Sequence, residues 1–434
     1  MFRNFSKKKF LFISWESLSG DLAWSLKKEG HEVKCYIRSK SDTDVYQGFL
    51  EKVNDWKRWV RWADVIVFDD VYFGRQADQL RKIGKFVIGG SRYTDLLETD
   101  REFGQQELAE RGINILPQWN FKNYDQAIRF IRRNPSRYVF KPSENGSPIT
   151  DTSLMFLGQD DNGQDLLELL RQNKDVWTKK APAFQLQKYI SGVEIAVGAF
   201  FNGQDFVYPI NVNFEHKRLF PGDLGPFTGE MGTLMYWDKP TNPIFIATLE
   251  KMKLALIESS YHGYIDLNCI VTAKGIYPLE FTARFGYPTI PIQLEGITML
   301  TGEWLYKLAK GEQFELRTKK GFQIGVRIMV PSYFTDEKDK STINTYRDLP
   351  ILFKKPDYDG VHIEDVKRVD EVWRVAGSSG CLLVVTGSGI TVDEARKRVY
   401  QRLENINIQN MFYRVDIGTR WFHDSDKLQT WGYL

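Results

Sequence analysis

The residues best suited to chemistry are Asp266, Asn268, Glu280 and Thr282, which lie in two neighbouring apolar segments rich in β-branched and aromatic residues. These segments are typical of two strands joined by a tight turn. If the turn has three residues and is centred on Lys274, Asn268 lies opposite Glu280 and Asp266 opposite Thr282, so the four side chains share one face. Clustered hard oxygen ligands suit Mg²⁺. A two-residue turn would shift this register, and an ordinary hairpin with one wet face would show the same alternation.

Two further segments have residues that suit an anion. Lys141 ends an apolar strand, where an ammonium group in a cleft can contact phosphate, although such lysines are often plain surface charges. The loop 15–20 follows the first strand and offers Ser17, Ser19 and Gly20. Its single glycine argues against a dinucleotide or P-loop cradle. A small anion at the helix start, or a plain cap by Ser19, remain as alternatives.

The segment 213–232 is predicted to be a long irregular loop. Long loops inside compact domains are usually functional. Its polar and glycine positions are Glu215, His216, Lys217, Arg218, Gly225, Thr228, Gly229 and Gly232. A basic run followed by glycines suits an anionic substrate, and a solvated surface loop is the alternative.

The order of elements indicates how these residues are positioned. Strand, helix and strand alternate over the first ninety residues or so, which predicts a parallel open sheet. Such sheets bind ligands at the loop after the first strand. Further on, the segment 243–258 predicts one amphipathic helix, with Phe245, Leu249, Met252 and Leu256 on its apolar face.

Length and composition set limits on the class of protein. A chain of 434 residues exceeds one core, and at about 150 residues per domain it predicts roughly three domains. The 59 basic and 56 acidic side chains give a net charge of +3, so no strong field indicates a nucleic-acid partner. No apolar run is long enough for a membrane span or a signal peptide, which predicts a soluble, cytoplasmic protein. Cys35, Cys269 and Cys381 are predicted to be buried thiols.

Three motifs occur in a fixed order along the chain. The first joins Glu-His-Lys-Arg at 215–218 to Gly-Pro-Phe-Thr-Gly-Glu-Met-Gly at 225–232. The second is Leu-Glu-Phe-Thr-Ala-Arg-Phe-Gly at 279–286, and the third ends in Arg-Val-Asp-Ile-Gly at 414–418. With these motifs, the chain resembles the ATP-grasp ligases over roughly residues 85–425, and among them the phosphoribosylamine–glycine ligase family of purine synthesis.

The resemblance implies a multidomain α/β and α+β fold. An N-terminal parallel α/β domain would occupy 1–95, an ATP-grasp body of two α+β subdomains 96–325, with the flap subdomain at about 118–190, and a small C-terminal α+β domain 326–434. It further implies ATP and Mg²⁺ or Mn²⁺, and small-molecule amine and carboxylate substrates, with glycine or another amino acid as the carboxylate. We expect a monomer or homodimer with no nucleic-acid or membrane partner.

The resemblance also implies roles for individual residues. The ATP-binding set is Arg101, Lys141, Gln187, Lys188, Tyr189, Ile190 and Glu194. Glu280 would hold the metal, with Asn268 as the second ligand, Asp266 as its alternate and Thr282 in the family's Asn position. The catalytic candidates are Arg284, Lys217 and Arg218. The substrate-binding set is Ser17, Ser19, Gly20, Glu215, His216, Gly225, Thr228, Gly229 and Gly232.

The chain departs from the family pattern in four places. In place of the family's glycine-rich first loop, residues 14–20 read Ser-Trp-Glu-Ser-Leu-Ser-Gly, and the flap 144–148 has one glycine. The two acidic residues that follow the family's second motif are absent at 287 and 289, and Thr282 replaces Asn. Three hypotheses follow: a carboxylate–amine ligase with an altered amine substrate, an authentic phosphoribosylamine–glycine ligase, or a nucleotide-binding protein without turnover.

Overall fold

The computed structural model describes residues 5–144, 147–148, 154–331 and 345–434. The chain opens with a five-stranded parallel sheet in the order β3-β2-β1-β4-β5. Its strands are β1 (Lys9–Ser14), β2 (Glu32–Ile37), β3 (Glu51–Lys52), β4 (Val65–Phe68) and β5 (Phe86–Ile88). Its helices are α1 (Gly20–Lys28), α2 (Gly74–Lys82) and α3 (Arg92–Thr99). The central strands β1 and β4 are apolar and buried, as expected for a parallel sheet covered on both faces.

A second, smaller sheet follows and is called the flap sheet below. Its strands are β6 (Gln118–Phe121), β7 (Tyr138–Glu144), β8 (Ser147–Pro148), β9 (Phe156–Leu157) and β10 (Ala183–Lys188). The helices of this part are α4 (Arg101–Glu110), α5 (Tyr124–Arg133) and α6 (Gln164–Lys180). The sheet order is β6-β10-β7-β8, with β9 also on β7, and α5 and α6 pack through a separate apolar core around Phe140, Leu166 and Phe184.

The third sheet has eight strands and carries the hairpin. Its first strands are β11 (Val193–Asn202), β12 (Phe206–Glu215), β15 (Gly232–Asp238), β16 (His262–Thr272) and β17 (Gly275–Thr282), and a separate pair is β13 (Arg218–Phe220) with β14 (Leu224–Phe227). The helices here are α7 (Pro243–Ala247), α8 (Lys253–Glu258), α9 (Thr289–Gly296) and α10 (Thr301–Lys310). The order β17-β16-β11-β12-β15 places the hairpin at one edge.

The C-terminal part continues the same sheet instead of forming one of its own. Its elements are β18 (Phe322–Met329), β19 (Leu352–Phe353), β20 (Val361–Ile363), β21 (Val366–Val369), β22 (Val372–Val375), β23 (Cys381–Gly389), α11 (Val392–Leu403), β24 (Ile406–Asn407) and α12 (Trp421–Thr430). Strands β18, β23 and β20 follow β15 in the eight-stranded sheet. The boundary proposed at 325/326 falls inside β18, so these two parts share one sheet.

Two sequence predictions need correction. The predicted helix 243–258 is broken: α7 stops at Thr248 (φ −129°, ψ −89°), and a 3-10 turn, Leu249–Met252, leads into α8. Its predicted apolar face is nevertheless buried, because Phe245 and Leu256 have no exposed surface. The predicted irregular loop 213–232 instead contains the antiparallel pair β13 and β14.

The remaining predictions concern the cysteines, two segments that lie outside the described residues, and membrane spans. Cys35 and Cys269 are buried and Cys381 is half-buried, and all three are free thiols. Residues 145 and 146 of the flap, and the polar stretch 335–342, lie outside the described residues. Within the ranges that are described, no helix is both long and apolar enough to cross a membrane.

Candidate functional site

The hairpin β16–β17 brings the four oxygen-bearing side chains together. Asp266 pairs with Thr282 and Asn268 with Glu280, which confirms the predicted pairing. Since side chains alternate along a strand, all four lie on one face. Asp266 and Asn268 are 2% and 3% exposed, whereas the side chain of Glu280 at the outer strand is 48% exposed.

The turn of this hairpin differs from the prediction. Thr272 pairs with Gly275, so the turn has two residues and not three. The register then shifts between Cys269 and Asn268, where Leu279 is the extra residue of a β-bulge. The bulge returns Glu280 to its place opposite Asn268, so the pairing is correct although the turn was predicted wrongly.

The ammonium group of Lys217 lies among three carboxylates. Its Nζ is 3.0 Å from Glu280 Oε1, 3.1 Å from Glu194 Oε1 and 3.4 Å from Glu215 Oε2. Burial by itself would lower the pKa of Lys217, but the three negative charges outweigh it and raise the pKa well above its ordinary value. Lys217 therefore stays charged and joins strands β11, β12 and β17.

Three cations surround Glu280. Lys217, Lys141 and Arg101 together lower its pKa to about 2, although burial opposes them. Lys141 lies across from Gln185 on the flap sheet, and its pKa falls to about 8 because it is buried and close to Arg101. Arg101 donates from Nη1 to the Pro142 carbonyl at 3.1 Å. The flap sheet and the eight-stranded sheet thus meet at a cluster in which cations, among them Lys141 and Arg101, lie next to the carboxylate of Glu280.

A buried polar face continues from this cluster. Asn268 Nδ2 donates to both carboxylate oxygens of Glu215, at 3.3 and 3.1 Å. Burial raises the pKa of Glu215, although Lys217 opposes the shift. Further along, Asn211 Nδ2 donates to Tyr264 Oη at 2.8 Å. The polar side chains on this face are therefore more than a hydrophobic contact surface between elements.

The donor set fits a hard cation. Asp266 Oδ1 and Asn268 Oδ1 are buried beside the carboxylates of Glu215 and Glu280, and neither has a hydrogen-bond partner within the described part of the chain. Carboxylate and amide oxygens are the ligands that Mg²⁺ takes. Among the described residues, no three His, Cys, Asp or Glu side chains form a complete metal cage. A divalent cation here would need oxygens from another source, as Mg²⁺ commonly takes them from water and phosphate.

The predicted adenine hinge is the connector from the flap sheet to the eight-stranded sheet. Gln187 is 2% exposed and lies within β10, next to Val139. Lys188 is exposed, and its N–H donates to the Pro117 carbonyl at 2.9 Å. Tyr189 and Ile190 are half-buried. The structure therefore places this connector at the junction between the two sheets.

The basic triplet at 216–218 is split by the structure. Lys217 faces the carboxylates, whereas the Arg218 guanidinium stacks at 3.6 Å on the Phe227 ring and donates to the Gly225 carbonyl. His216 is buried, and its Nε2 accepts from the Gly418 N–H at 3.1 Å. Burial and neighbouring arginines lower the pKa of His216 to about 3, so it is neutral.

The remaining predicted substrate residues of this segment hold the β13–β14 pair in shape. Thr228 donates from both N–H and Oγ1 to the Lys217 carbonyl, at 2.8 and 2.9 Å. Gly225 and Gly232 have φ of +79° and +156°, and a Cβ on Gly229 would meet nothing within 4 Å. The tip is tied to the C-terminal motif, where Arg414 pairs with Asp223 and Asp416.

Arg284 follows the hairpin and pairs with carboxylates of the N-terminal part. Its Nε is 3.2 Å from Glu98 Oε1 and 3.8 Å from Asp70 Oδ1. These negative charges raise its pKa in spite of burial. Glu98 also accepts from the Ala283 N–H at 2.7 Å. Arg284 therefore joins the end of β17 to the N-terminal sheet.

Three residues of the first loop, Ser17, Ser19 and Gly20, form hydrogen bonds with other parts of the chain. Ser19 donates from N–H and Oγ to Asp69 Oδ2, at 3.0 and 2.5 Å, so its side chain does not cap α1 as predicted. Gly20 N–H donates to Tyr46 Oη at 2.8 Å. Ser17 Oγ lies 3.2 Å from Asp365 Oδ1 of the C-terminal part.

Sequence reasoning missed several of these partners. Asp69 and Asp70 stand directly after β4, at the carboxyl end of a central strand, which is a position where parallel sheets bind ligands. That signal was available in the sequence. Glu98 and Arg420 gave no local signal, since Arg420 donates to the carbonyls of Glu215 and Glu194 across more than two hundred residues.

Part of the chain matches a known family of domains. Residues 99–290 match the family described as phosphoribosylglycinamide synthetase, ATP-grasp (A) domain. A phosphoribosylamine–glycine ligase of Streptococcus pneumoniae is 24% identical over 384 residues, which cover 85% of each chain. The phosphoribosylamine–glycine ligase structure from Thermotoga maritima superposes with a TM-score of 0.69 at 18% identity, over 94% of this chain and 100% of that one.

The fold is shared more widely. Biotin carboxylase from Campylobacter jejuni superposes with a TM-score of 0.61 at 13% identity, over 98% of this chain and 97% of that one. Residues 99–290 are therefore an ATP-grasp domain of the phosphoribosylglycinamide synthetase type, and the chain is distantly similar to phosphoribosylamine–glycine ligases over most of its length.

Proposed function

We propose that this protein joins a carboxylate to an amine at the expense of ATP, through an acyl phosphate, with release of ADP and phosphate. The observation that carries the proposal is the cluster of three cations, Lys141, Arg101 and Lys217, beside Glu280 where two sheets meet. A triphosphate needs such cations around it, and Glu194 beside them suits a ribose hydroxyl.

The chemistry needs no nucleophilic side chain. A substrate carboxylate oxygen attacks the γ-phosphorus, the bond to the bridging oxygen breaks, and ADP leaves with that electron pair. The amine nitrogen then attacks the acyl carbon with its lone pair, the carbon–oxygen bond breaks, phosphate leaves with the electrons, and the nitrogen releases a proton to water. Positioning and charge neutralisation supply most of the catalysis in phosphoryl transfer.

The residues of the chain divide this work. Lys141 and Arg101 bind phosphate oxygens, and Gln187 to Ile190 with Glu194 hold the nucleoside. Glu280, with Asn268 and Asp266, would hold Mg²⁺, which when bound neutralises phosphate charge. Thr282 lies next to Asp266 and offers only a hydroxyl oxygen. Arg284 stays a candidate for the transferring phosphoryl group, although Glu98 and Asp70 already share its charge.

We further propose that the amine is not phosphoribosylamine. Ser19 and Gly20 of the first loop already donate to the Asp69 carboxylate and the Tyr46 hydroxyl, so these donors are not free for a phosphate. A second candidate is authentic phosphoribosylamine–glycine ligase activity, which the 24% identity over 85% of the chain favours.

The test is release of ADP and phosphate from Mg-ATP with glycine, with and without freshly generated phosphoribosylamine. We expect tight Mg-ATP binding and no dependence on phosphoribosylamine, after which other amines and carboxylates are screened. Release that depends on both glycine and phosphoribosylamine would establish the second candidate instead. Failure to bind Mg-ATP at all would contradict the ligase assignment.

A further inference from the structure

The crevice at the carboxyl ends of β1 and β4 is the natural ligand position of the N-terminal sheet. Strand order β3-β2-β1-β4-β5 reverses between these two strands, and open α/β sheets bind ligands at such a point. Helix α1 starts there, and a free helix start would favour an anion. The chemistry of the ligand can therefore be deduced from the groups that line this crevice.

Three backbone donors at the start of this helix are already bonded. The N–H of Leu18 donates to Ser14 Oγ at 3.1 Å, that of Ser19 to Asp69 Oδ2, and that of Gly20 to Tyr46 Oη. A Cβ on Gly20 would come within 2.1 Å of the Tyr46 ring, so this ring covers the helix start. A phosphate would have to displace both a carboxylate and a tyrosine.

Carboxyl groups line this crevice, and burial raises the pKa of Asp69 to about 7 and also raises the pKa values of Asp70 and Glu98. Arg284 pairs with Asp70 and Glu98, whereas Asp69 accepts from the N–H and Oγ of Ser19 through Oδ2. We call Asp69, Asp70 and Glu98 the strand-end site. Asp69 has no exposed surface, and among the residues that the structure describes its Oδ1 has no hydrogen-bond partner. A buried, unpartnered carboxylate oxygen needs a donor, and a cation satisfies it best.

The strand-end site also contacts the segment that follows strand β17 of the hairpin. Ala283, one residue after β17, donates its N–H to Glu98 at 2.7 Å, and Tyr287 Oη donates to the Asp69 carbonyl at 3.4 Å. The hairpin with Glu280 is therefore continuous with this site.

We propose that the strand-end site binds an ammonium group of the amine substrate, which is a diamine without phosphate. This inference rests on the proposed ligase function. The nitrogen that attacks the acyl carbon must carry a lone pair, so the ammonium held by Asp69 and Asp70 is a second nitrogen. The attacking nitrogen forms the carbon–nitrogen bond and releases its proton to water, while phosphate leaves with the electron pair of the broken carbon–oxygen bond.

The experiment is calorimetric titration of the full chain, without nucleotide and at low ionic strength, with 1,4-diaminobutane and with ribose 5-phosphate as probes. We expect 1,4-diaminobutane to bind and ribose 5-phosphate not to compete. Asp70→Asn should weaken diamine binding about tenfold, because one buried charge is lost. Asp70→Glu, which keeps the charge, should restore most of it.

The matched control is Asp125→Asn, which removes an ion-paired aspartate of the flap sheet region, far from the strand ends. It should leave diamine binding unchanged. Preferential binding of ribose 5-phosphate, absence of diamine binding, or equal effects of Asp70→Asn and Asp125→Asn would each overturn the proposal. Because no nucleotide is present, these outcomes are separate from failure of the ligase function, which shows as loss of Mg-ATP binding.

Discussion

The ammonium group of Lys217 lies among the carboxylates of Glu194, Glu215 and Glu280. Without it, these carboxylates would repel one another and a bound nucleotide. Its neighbour Arg218 points away and stacks on Phe227. Substitution of these two residues therefore distinguishes an effect on nucleotide binding from an effect on the β13–β14 pair. We expect Lys217→Met to weaken Mg-ATP binding about tenfold or more, because uncompensated carboxylates remain, and Arg218→Met to leave it nearly unchanged. Fluorescence or calorimetric titration measures both, and equal losses would contradict the assignment.

The pKa of Glu280 is lowered to about 2 because Lys217, Lys141 and Arg101 lie close to it. Glu280→Ala should abolish metal-dependent ADP release and leave the fold intact, since this side chain is half exposed. Glu258→Ala, at an exposed position of α8, is the control and should keep full activity. Near wild-type turnover of Glu280→Ala would show that the metal assignment is wrong.

Lys141 provides a pH test. Burial and Arg101 lower its pKa to about 8 from an ordinary value of 10.5. Between these values the unfolded chain binds more protons, so this group makes the fold more stable as pH rises. Phosphate binding needs the ammonium form, so Mg-ATP affinity should fall above about pH 8, by roughly tenfold per unit.

The control for this prediction is Lys141→Arg, because a guanidinium stays charged over the same range. Its affinity for Mg-ATP should be flat between pH 8 and 10, whatever its absolute value. A wild-type affinity that does not change over this range would place Lys141 away from the phosphates.

At the scale of elements, the hairpin shows what periodicity can predict. Alternation along β16 and β17 was sufficient to place Asn268 opposite Glu280. The bulge at Leu279 was not visible, because nothing in a Leu residue distinguishes an extra position in a strand. Partners from distant elements, such as Glu98 for Arg284, were missed for the same reason: local pattern carries no information on long-range contacts.

Strand β11 is shaped by its small residues. A Cβ on Gly198 would lie 2.1 Å from Tyr264 Oη and 2.8 Å from Asp266 Cβ. Gly198→Ala should therefore displace Tyr264 from Asn211 and reduce the free energy of unfolding by about 1–3 kcal/mol. Chemical denaturation measures this. Gly229→Ala, where a Cβ meets nothing, is the control, and equal stability of the two variants would contradict the close packing.

At the scale of the molecule, the fold class and the order of its parts were predictable from the alternation of elements and the three motifs. The merging of the C-terminal strands β18, β23 and β20 into the eight-stranded sheet was not, because strand order is set by contacts far apart in sequence. The ion pairs of Arg414 likewise join the C-terminal motif to the β13–β14 pair.

Arg414 provides the test of this coupling. It is 1% exposed and bonds Asp416, Asp223 and the Arg218 carbonyl. Arg414→Ala should reduce the free energy of unfolding by about 1–3 kcal/mol, because the hydrogen bonds of a buried guanidinium are lost, while its carboxylate partners Asp223 and Asp416 are partly exposed. The free energy of unfolding in urea measures the loss. Arg129→Ala, at an exposed position of α5, should change it by less than about 0.5 kcal/mol.

Arg420 has a consequence for the way the protein is made. It donates to the backbone carbonyls of Glu194 and Glu215 from 226 and 205 residues further along the chain. During synthesis, these two glutamates leave the ribosome long before Arg420 does. Until translation has passed residue 420, the nascent chain therefore lacks the donor that bonds both of these carbonyls, and Arg420 does not yet join strands β11 and β12.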